Sequence, residues 1–366
     1  MPATQLDSFL AILAGEPARR VVWTADLSYW MDGQRQAGIA PKAWDTEEGY
    51  LELHHDLGVM PYYYYDAFWA AASVYDGSVQ WSTKSVGRAT RRRVETPAGT
   101  LEEEQVYLPE SACHAIRHHF VTGPEDLPVL RYLLEHRRLE PANLRDYPER
   151  RNLWRRYDGL PCLGLPRSPL PALCTEWAGV EALSYLLLDE PDELRDIVAL
   201  LEAEQEPILD AVCELAPPVV HMPDNLSSDT FTGLFDEWMA LPYRRRLDKL
   251  HSAGVRAAVH LDGATRGLLP RLGAVGFDAV EAVTPHPVGD ASILEMRELV
   301  QAGTLILWGG MPGAMFAPPW TWDDLHAQLK KVLSGWKHTP FVVGVADQVP
   351  PDGDVEHCRR IAAALR

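Results

Sequence analysis

Val255-Arg256-Ala257-Ala258-Val259-His260-Leu261-Asp262-Gly263 is the stretch on which the fold turns. An apolar run ends abruptly in a histidine, an aspartate and a glycine, and a helix-like segment, Arg266–Leu272, follows. This reads as a buried strand that opens onto a polar rim. Residues two apart on a strand point to the same face, so His260 and Asp262 share one.

Working outward, the same strand-then-helix unit recurs through the C-terminal half. Strands are expected at Pro218–Met222, Ala257–His260, Phe277–Val283, Leu305–Trp308 and Phe341–Val345. Helices are expected at Phe231–Ala253, Arg266–Leu272, Ala291–Gln301, Trp322–Gly335 and Val355–Leu365. The N-terminal half adds a first helix at Leu6–Leu13 and strands at Arg20–Thr24, Cys162–Leu165 and Val59–Tyr64, the last of which could equally belong to a loop and leave seven strands. Strands alternating with helices imply parallel pairing through right-handed crossovers. Eight such strands in a chain of 366 residues predict an α/β protein built as a (β/α)8 TIM barrel. The alternative is an open doubly wound sheet, but no glycine-rich phosphate loop follows any of these strands. Ser78–Tyr107 breaks the alternation with two extended arms around Thr96-Pro97-Ala98-Gly99-Thr100, which predicts an inserted β-hairpin in a single domain spanning 1–366.

The net charge of −18 argues against nucleic acid or an anionic membrane as a partner. The basic clusters Arg91–Arg93, Arg150-Arg151 and Arg244–Arg246 read as solvated faces or ion-pair networks. Five scattered cysteines without a CxxC pair predict reduced thiols and a cytoplasmic protein. No window is apolar enough to span a bilayer, and Met1–Arg20 carries no cleavable signal pattern.

In a barrel, chemistry gathers at the C-terminal ends of the strands. The polar residues expected there are Asp26, Arg167, His221 with Asp224, His260 with Asp262, Glu281, and Asp347. Burying so many charges is costly unless they pair or bind a cation. His260, Asp262, Glu281 and Asp347 offer one nitrogen and three carboxylates, a set that either holds a divalent metal or forms a hydrogen-bonded network. His221, Asp224 and Asn225 either handle substrate and protons or cap a loop. His286 lies in the proline-bounded loop Thr284–Asp290, as a shuttle, a ligand contact or a surface residue. Trp23, Trp308 and the run Tyr62–Tyr65 either line a pocket for a planar substrate or belong to the core.

Several blocks resemble the uroporphyrinogen decarboxylase-like superfamily of (β/α)8 barrels, which includes methyltransferases that serve corrinoid proteins. His260-Leu261-Asp262-Gly263 is similar to that family's His-x-Cys-Gly, and Phe277–Thr284 to its next strand and loop. Trp308-Gly309-Gly310 and Ala346-Asp347-Gln348-Val349-Pro350-Pro351 resemble its Gly-Gly strand end and its Gly-Cys-Glu-Val-Pro-Pro. The turn Thr96–Leu101 is similar to one in the methyltransferase branch. Two departures stand out. The N-terminal Arg-Gln-Ala-Gly-Arg that grips substrate carboxylates in the decarboxylase is incomplete, since Arg35-Gln36-Ala37-Gly38 is followed by Ile39. Asp262 and Asp347 occupy the positions where the methyltransferases place zinc-binding cysteines.

The resemblance therefore implies zinc or another divalent cation held by His260, Asp262 and Asp347, with Glu281 as a fourth ligand. It implies an O-demethylase type of methyltransferase, moving a methyl group from a small, methoxylated aromatic compound to a corrinoid carried by a partner protein. His221, Asp224 and Asp26 are the expected catalytic residues, and Trp23, Asn225, Arg167, Trp308 and His286 the expected substrate contacts. A decarboxylase or lyase acting on a small carboxylic acid without corrinoid, and a non-catalytic ligand-binding barrel, are the alternatives.

Overall fold

The protein is described from a computed structural model covering residues 3–300 and 303–366. A curled parallel sheet of seven strands forms its centre, running Trp23–Thr24, Phe341–Ala346, Ile306–Pro312, Ala279–Val283, Arg256–Leu261, Val219–Leu226 and Leu163–Gly164 from edge to edge. Helices follow the strands in the order the sequence predicts: Ala240–Ser252, Leu269–Val275, Ile293–Leu299, Trp322–Trp336 and Glu356–Ala364. The last residue of the helix expected at Ala291–Gln301 lies outside the described residues. Reciprocal caps fix the starts of three helices, with Thr4 paired to Asp7, Ser292 to Glu295 and Thr321 to Asp324.

The expected strand Val59–Tyr64 is not a regular strand. It is an extended segment lying between the two edge strands, where the Met60 N–H donates to Trp23 O at 2.8 Å and the Cys162 N–H to Tyr62 O at 3.0 Å. Pro61 has no N–H to give, which interrupts the ladder at that point. Seven strands plus this segment therefore take the places of the predicted eight, in a TIM-barrel-like fold.

Two further expectations need correction. The helix predicted as continuous over Phe231–Ala253 is divided into Ser228–Phe231, a widened turn at Phe235–Met239, and Ala240–Ser252. The extended segment after Ser78 is larger than one hairpin. Gln80–Val86, Ala89–Thr96, Gly99–Leu108 and Cys113–His118 form a four-stranded antiparallel sheet. Its middle strands set Arg91, Arg92 and Arg93 opposite Glu104, Glu103 and Glu102, so that basic cluster is an ion-pair ladder. Among the described residues, no helix is long and apolar enough to cross a membrane.

The lower interior of the curled sheet is apolar. Helix Gln5–Leu13 presses Phe9 against Trp308, ring edge to face, with centroids 5.1 Å apart. The Trp308 indole donates to Thr24 Oγ1 at 2.8 Å and is 1% exposed, so it is core and not a substrate contact. Trp23 points to the opposite side of its strand and stacks on Phe316 at 6.5 Å, which also removes it from the mouth. Small residues at Ala258, Ala279 and Gly164 make room for the rings of Tyr62, Tyr63 and Phe68. At Gly164 the fit is tight: a Cβ there would lie 2.2 Å from the buried Phe68 ring. Gly164→Ala is expected to destabilise the fold by about 1–3 kcal/mol through overpacking. Urea unfolding measures this, and an unchanged midpoint would contradict it.

Candidate active site

Register brings the central residues together. His260 lies beside Glu281, and Ala258, two residues before His260, lies beside His221. The strand ends are then distorted. Pairing slips between Val259 and Leu261 and between Val280 and Val283, the second slip placing Ala282 at φ 65°. Asn225 and Asp347 also have left-handed backbone, at φ 48° and 67°. Bulges and left-handed residues cost local energy but re-aim side chains, and here they fall at the ends of the central strands.

The buried half of the site centres on Glu281, 1% exposed. Its Oε1 accepts from the Tyr62 hydroxyl at 2.9 Å, and its Oε2 lies 2.7 Å from His260 Nδ1 and 3.1 Å from His221 Nε2. The Tyr63 hydroxyl sits 2.7 Å from His221 Nε2 and 2.9 Å from its Nδ1. Burial opposes the charge on Glu281, but the charge of His260 and the hydrogen bonds from both histidines hold its carboxyl down at about 2. Burial likewise opposes a charged His260, but Glu281 and Asp262 outweigh it and raise that imidazole well above the ordinary histidine range. His221, fully buried, is pushed down by desolvation despite Glu281, so it stays neutral near pH 7.

The open half lies on the other side of the His260 ring. Nε2 is 3.7 Å from Asp262 Oδ2 and 3.9 Å from Asp347 Oδ1. Those three side chains offer ligand atoms that all lie within 4.8 Å of one another, as do those of His221, His260 and Glu281. The predicted four-residue set thus divides into two groups that share His260 and meet opposite ring nitrogens. Asp347 is pushed up to about 6 by enclosure in the mouth, with Asp262, Asp26 and Glu281 adding repulsion that His260 only partly offsets. Asp26 is buried, accepting from the Ser28 N–H at 2.8 Å and the Tyr65 hydroxyl at 2.9 Å. Desolvation raises its carboxyl, with the Glu281 charge adding to the shift.

Other predicted site residues lie elsewhere. Asp224 is three residues from His221 and therefore on the opposite face of the strand. It accepts from the Ser168 N–H at 2.8 Å and the Tyr243 hydroxyl at 2.7 Å, and its charge faces the buried Arg246. Both of its oxygens are engaged behind the sheet, away from the cluster around His260. Arg167 packs over the Trp69 ring at 5.4 Å, pairs with Glu176 at 3.3 Å, and lines a separate cavity of about 180 Å³. His286 is exposed and lines a cleft of about 350 Å³ beside helices Ile293–Leu299 and Trp322–Trp336. Asn225 is exposed at its strand end. Tyr62, Tyr63 and Tyr65, expected either to line a pocket or to join the core, instead hydrogen-bond the polar groups of the site. Their four-residue run was visible, but not that Tyr62 would meet Glu281, Tyr63 His221 and Tyr65 Asp26.

Two stability measurements follow from these placements. Asp224→Ala strips the partner from two donors and the counter-charge from Arg246, an expected loss on the order of 3–5 kcal/mol in urea unfolding. A loss under about 1 kcal/mol would contradict that role. Asp347 has a folded-state pKa of about 6 against an ordinary 3.8, so the folded protein loses stability as pH rises through about 6. Asp347→Asn, which tolerates the same backbone, is expected to raise the melting temperature of metal-free protein near about pH 8 and to change it little near about pH 4.5. A variant less stable at the higher pH would contradict the unfavourable setting of a charged Asp347.

The family model for uroporphyrinogen decarboxylase (URO-D) matches residues 151–366. No curated protein sequence matches the chain. Among solved structures, it is similar to a methyltransferase from Methanosarcina mazei, at 15% identity and a TM-score of 0.63, over 99% of this chain and 98% of that one. It also matches a B12-independent methionine synthase from Shewanella sp. W3-18-1 in complex with selenomethionine, at 12% identity and a TM-score of 0.45, over 72% and 74% of the two chains. The family match takes in more than half of the chain and contains His221, His260, Asp262, Glu281 and Asp347 together, and the protein belongs to the uroporphyrinogen decarboxylase family.

Proposed function

We propose that this protein is a metal-dependent methyltransferase whose divalent cation is held by His260, Asp262 and Asp347. The observation that carries the reading is the position of Asp262 and Asp347 on the Nε2 side of His260, at separations suited to ligands of one small cation. The donor set fits such an ion: one imidazole nitrogen and two carboxylates converge, and desolvation, with added repulsion from neighbouring carboxylates, raises Asp347. Family membership supports the reading, as does the full-length likeness in fold to a methyltransferase. One imidazole and two carboxylates make a harder site than a thiolate one, better matched to an oxygen on the substrate than to a thiol. When bound, a divalent cation supplies Lewis-acid polarisation of the leaving oxygen in a methoxylated donor.

The chain's own groups have distinct parts in this reading. Tyr65, 46% exposed with its hydroxyl on Asp26, forms a wall of the mouth against which a small aromatic methyl donor packs. Burial raises the Asp26 carboxyl, which suits it to exchange a proton with a departing aryloxide. His221 is buried behind Glu281 and holds that carboxylate in place. The methyl acceptor is the corrinoid of a partner protein, in keeping with the sequence resemblance.

One observation favours a second reading. A buried carboxyl raised by desolvation, as at Asp26, also suits a carboxy-lyase that quenches a carbanion by proton transfer, without a metal or a corrinoid. Incubation of the purified protein with methoxylated aromatic compounds and a reduced free corrinoid separates the two. Methyl–cobalt bond formation is expected, lost on chelation, restored by added divalent metal, and reduced to background in His260→Ala. Chelator-insensitive release of carbon dioxide from small carboxylic acids, with no corrinoid methylation, would instead support the lyase.

A further inference from the structure

We propose that Glu281 is not a metal ligand but the positioning carboxylate of the site, holding His260 by Nδ1 so that Nε2 points into the mouth. This rests on the metal reading above and assigns the residue behind the ligand. Oε2 of Glu281 lies 2.7 Å from Nδ1, on the ring edge facing away from Asp262 and Asp347. An imidazole binds a metal through one nitrogen while donating its other N–H, so the Nδ1–H bond to Glu281 selects the tautomer whose Nε2 lone pair is free. The carboxylate has no freedom to swing round. Tyr62 occupies Oε1 at 2.9 Å, and His221, itself contacted by Tyr63, takes a second share of Oε2 at 3.1 Å. Glu281 is 1% exposed while Asp262 and Asp347 are 40% and 50% exposed at the side chain, so the buried carboxylate lies below the ligand layer and the two open ones line it. Movement of Glu281 into the ligand layer would leave the Tyr62 hydroxyl and His221 without their acceptor in a dry pocket. The neutral His221 and the Tyr62–Tyr63 pair are thereby explained as the support of one carboxylate.

The test is titration of the purified, metal-free protein with Co2+ and Zn2+, reading stoichiometry, affinity and the visible Co2+ spectrum. Wild type, Glu281→Gln, Tyr62→Phe and Asp347→Ala are compared, with circular dichroism to confirm folding. Glu281→Gln keeps an acceptor for Nδ1–H but loses its charge. It is expected to retain one metal per chain and the wild-type Co2+ spectrum, with affinity weakened by roughly 10–100-fold. Tyr62→Phe is expected to weaken affinity in the same direction but less, again with an unchanged spectrum. Asp347→Ala is expected to change the spectrum or abolish binding. A folded Glu281→Gln whose spectrum shifts as Asp347→Ala does, or which loses stoichiometric binding, would overturn the positioning role and make Glu281 a ligand, leaving the metal reading intact. Absence of binding by the wild type would overturn the metal reading, and this inference with it.

Discussion

A carboxylate at the bottom of a dry pocket must be met by charge and hydrogen bonds, and Glu281 is the group around which this site is organised. Its two oxygens are engaged by Tyr62, His221 and His260, each delivered by a different strand or segment. Removing water from a carboxylate costs several kcal/mol before any partner is counted. The surrounding sequence answers that cost with a protonated imidazole, a neutral imidazole and a phenol. Because the three partners come from Tyr62, Val219–Leu226 and Arg256–Leu261, the same carboxylate also ties the irregular 59–64 segment to the strands across the interior.

The open side of His260 has the reverse character. Asp262 and Asp347 add carboxylates beside the one Glu281 already supplies, and the His260 imidazole faces them. Such an arrangement disfavours a charged Asp347, a cost that a bound cation would relieve. The backbone shows the same priority: Asp347 sits in a left-handed conformation, and Ala282 beside Glu281 does as well. Strain at the ends of alternate strands marks the place where the fold gives up regularity to aim its side chains. Below that level, Phe9, Trp308, Phe68 and the small residues Gly164 and Ala258 close the interior as an ordinary apolar core.

The parallel strands of the C-terminal half were legible because each is an apolar run closed by polar or glycine residues, and their ends carry His260, Glu281 and Asp347. The strand at 59–64 was legible as a position but not as a conformation, since Pro61 removes a donor and tertiary contacts bring both Tyr62 and Tyr63 inward. Asp224 was misassigned for a simple geometrical reason. Proximity to His221 in sequence suggested a shared site, whereas a spacing of three on a strand sends it to the other face, toward Tyr243. Trp308 and Trp23 show the same limit: a tryptophan at a strand end is read as lining or as core only once its neighbours are known. Which nitrogen of His260 each carboxylate meets has no signature in the sequence, because it depends on ring orientation rather than on residue order.

The proposed site holds one divalent cation through His260 and carboxylates, with no thiolate. X-ray absorption at the metal edge of the purified, zinc-replete protein reads that ligand set. One metal per chain is expected, with a first shell of nitrogen and oxygen only, at about 2.0–2.2 Å, including one imidazole. A sulfur shell at about 2.3 Å, or a protein that retains no metal, would contradict it.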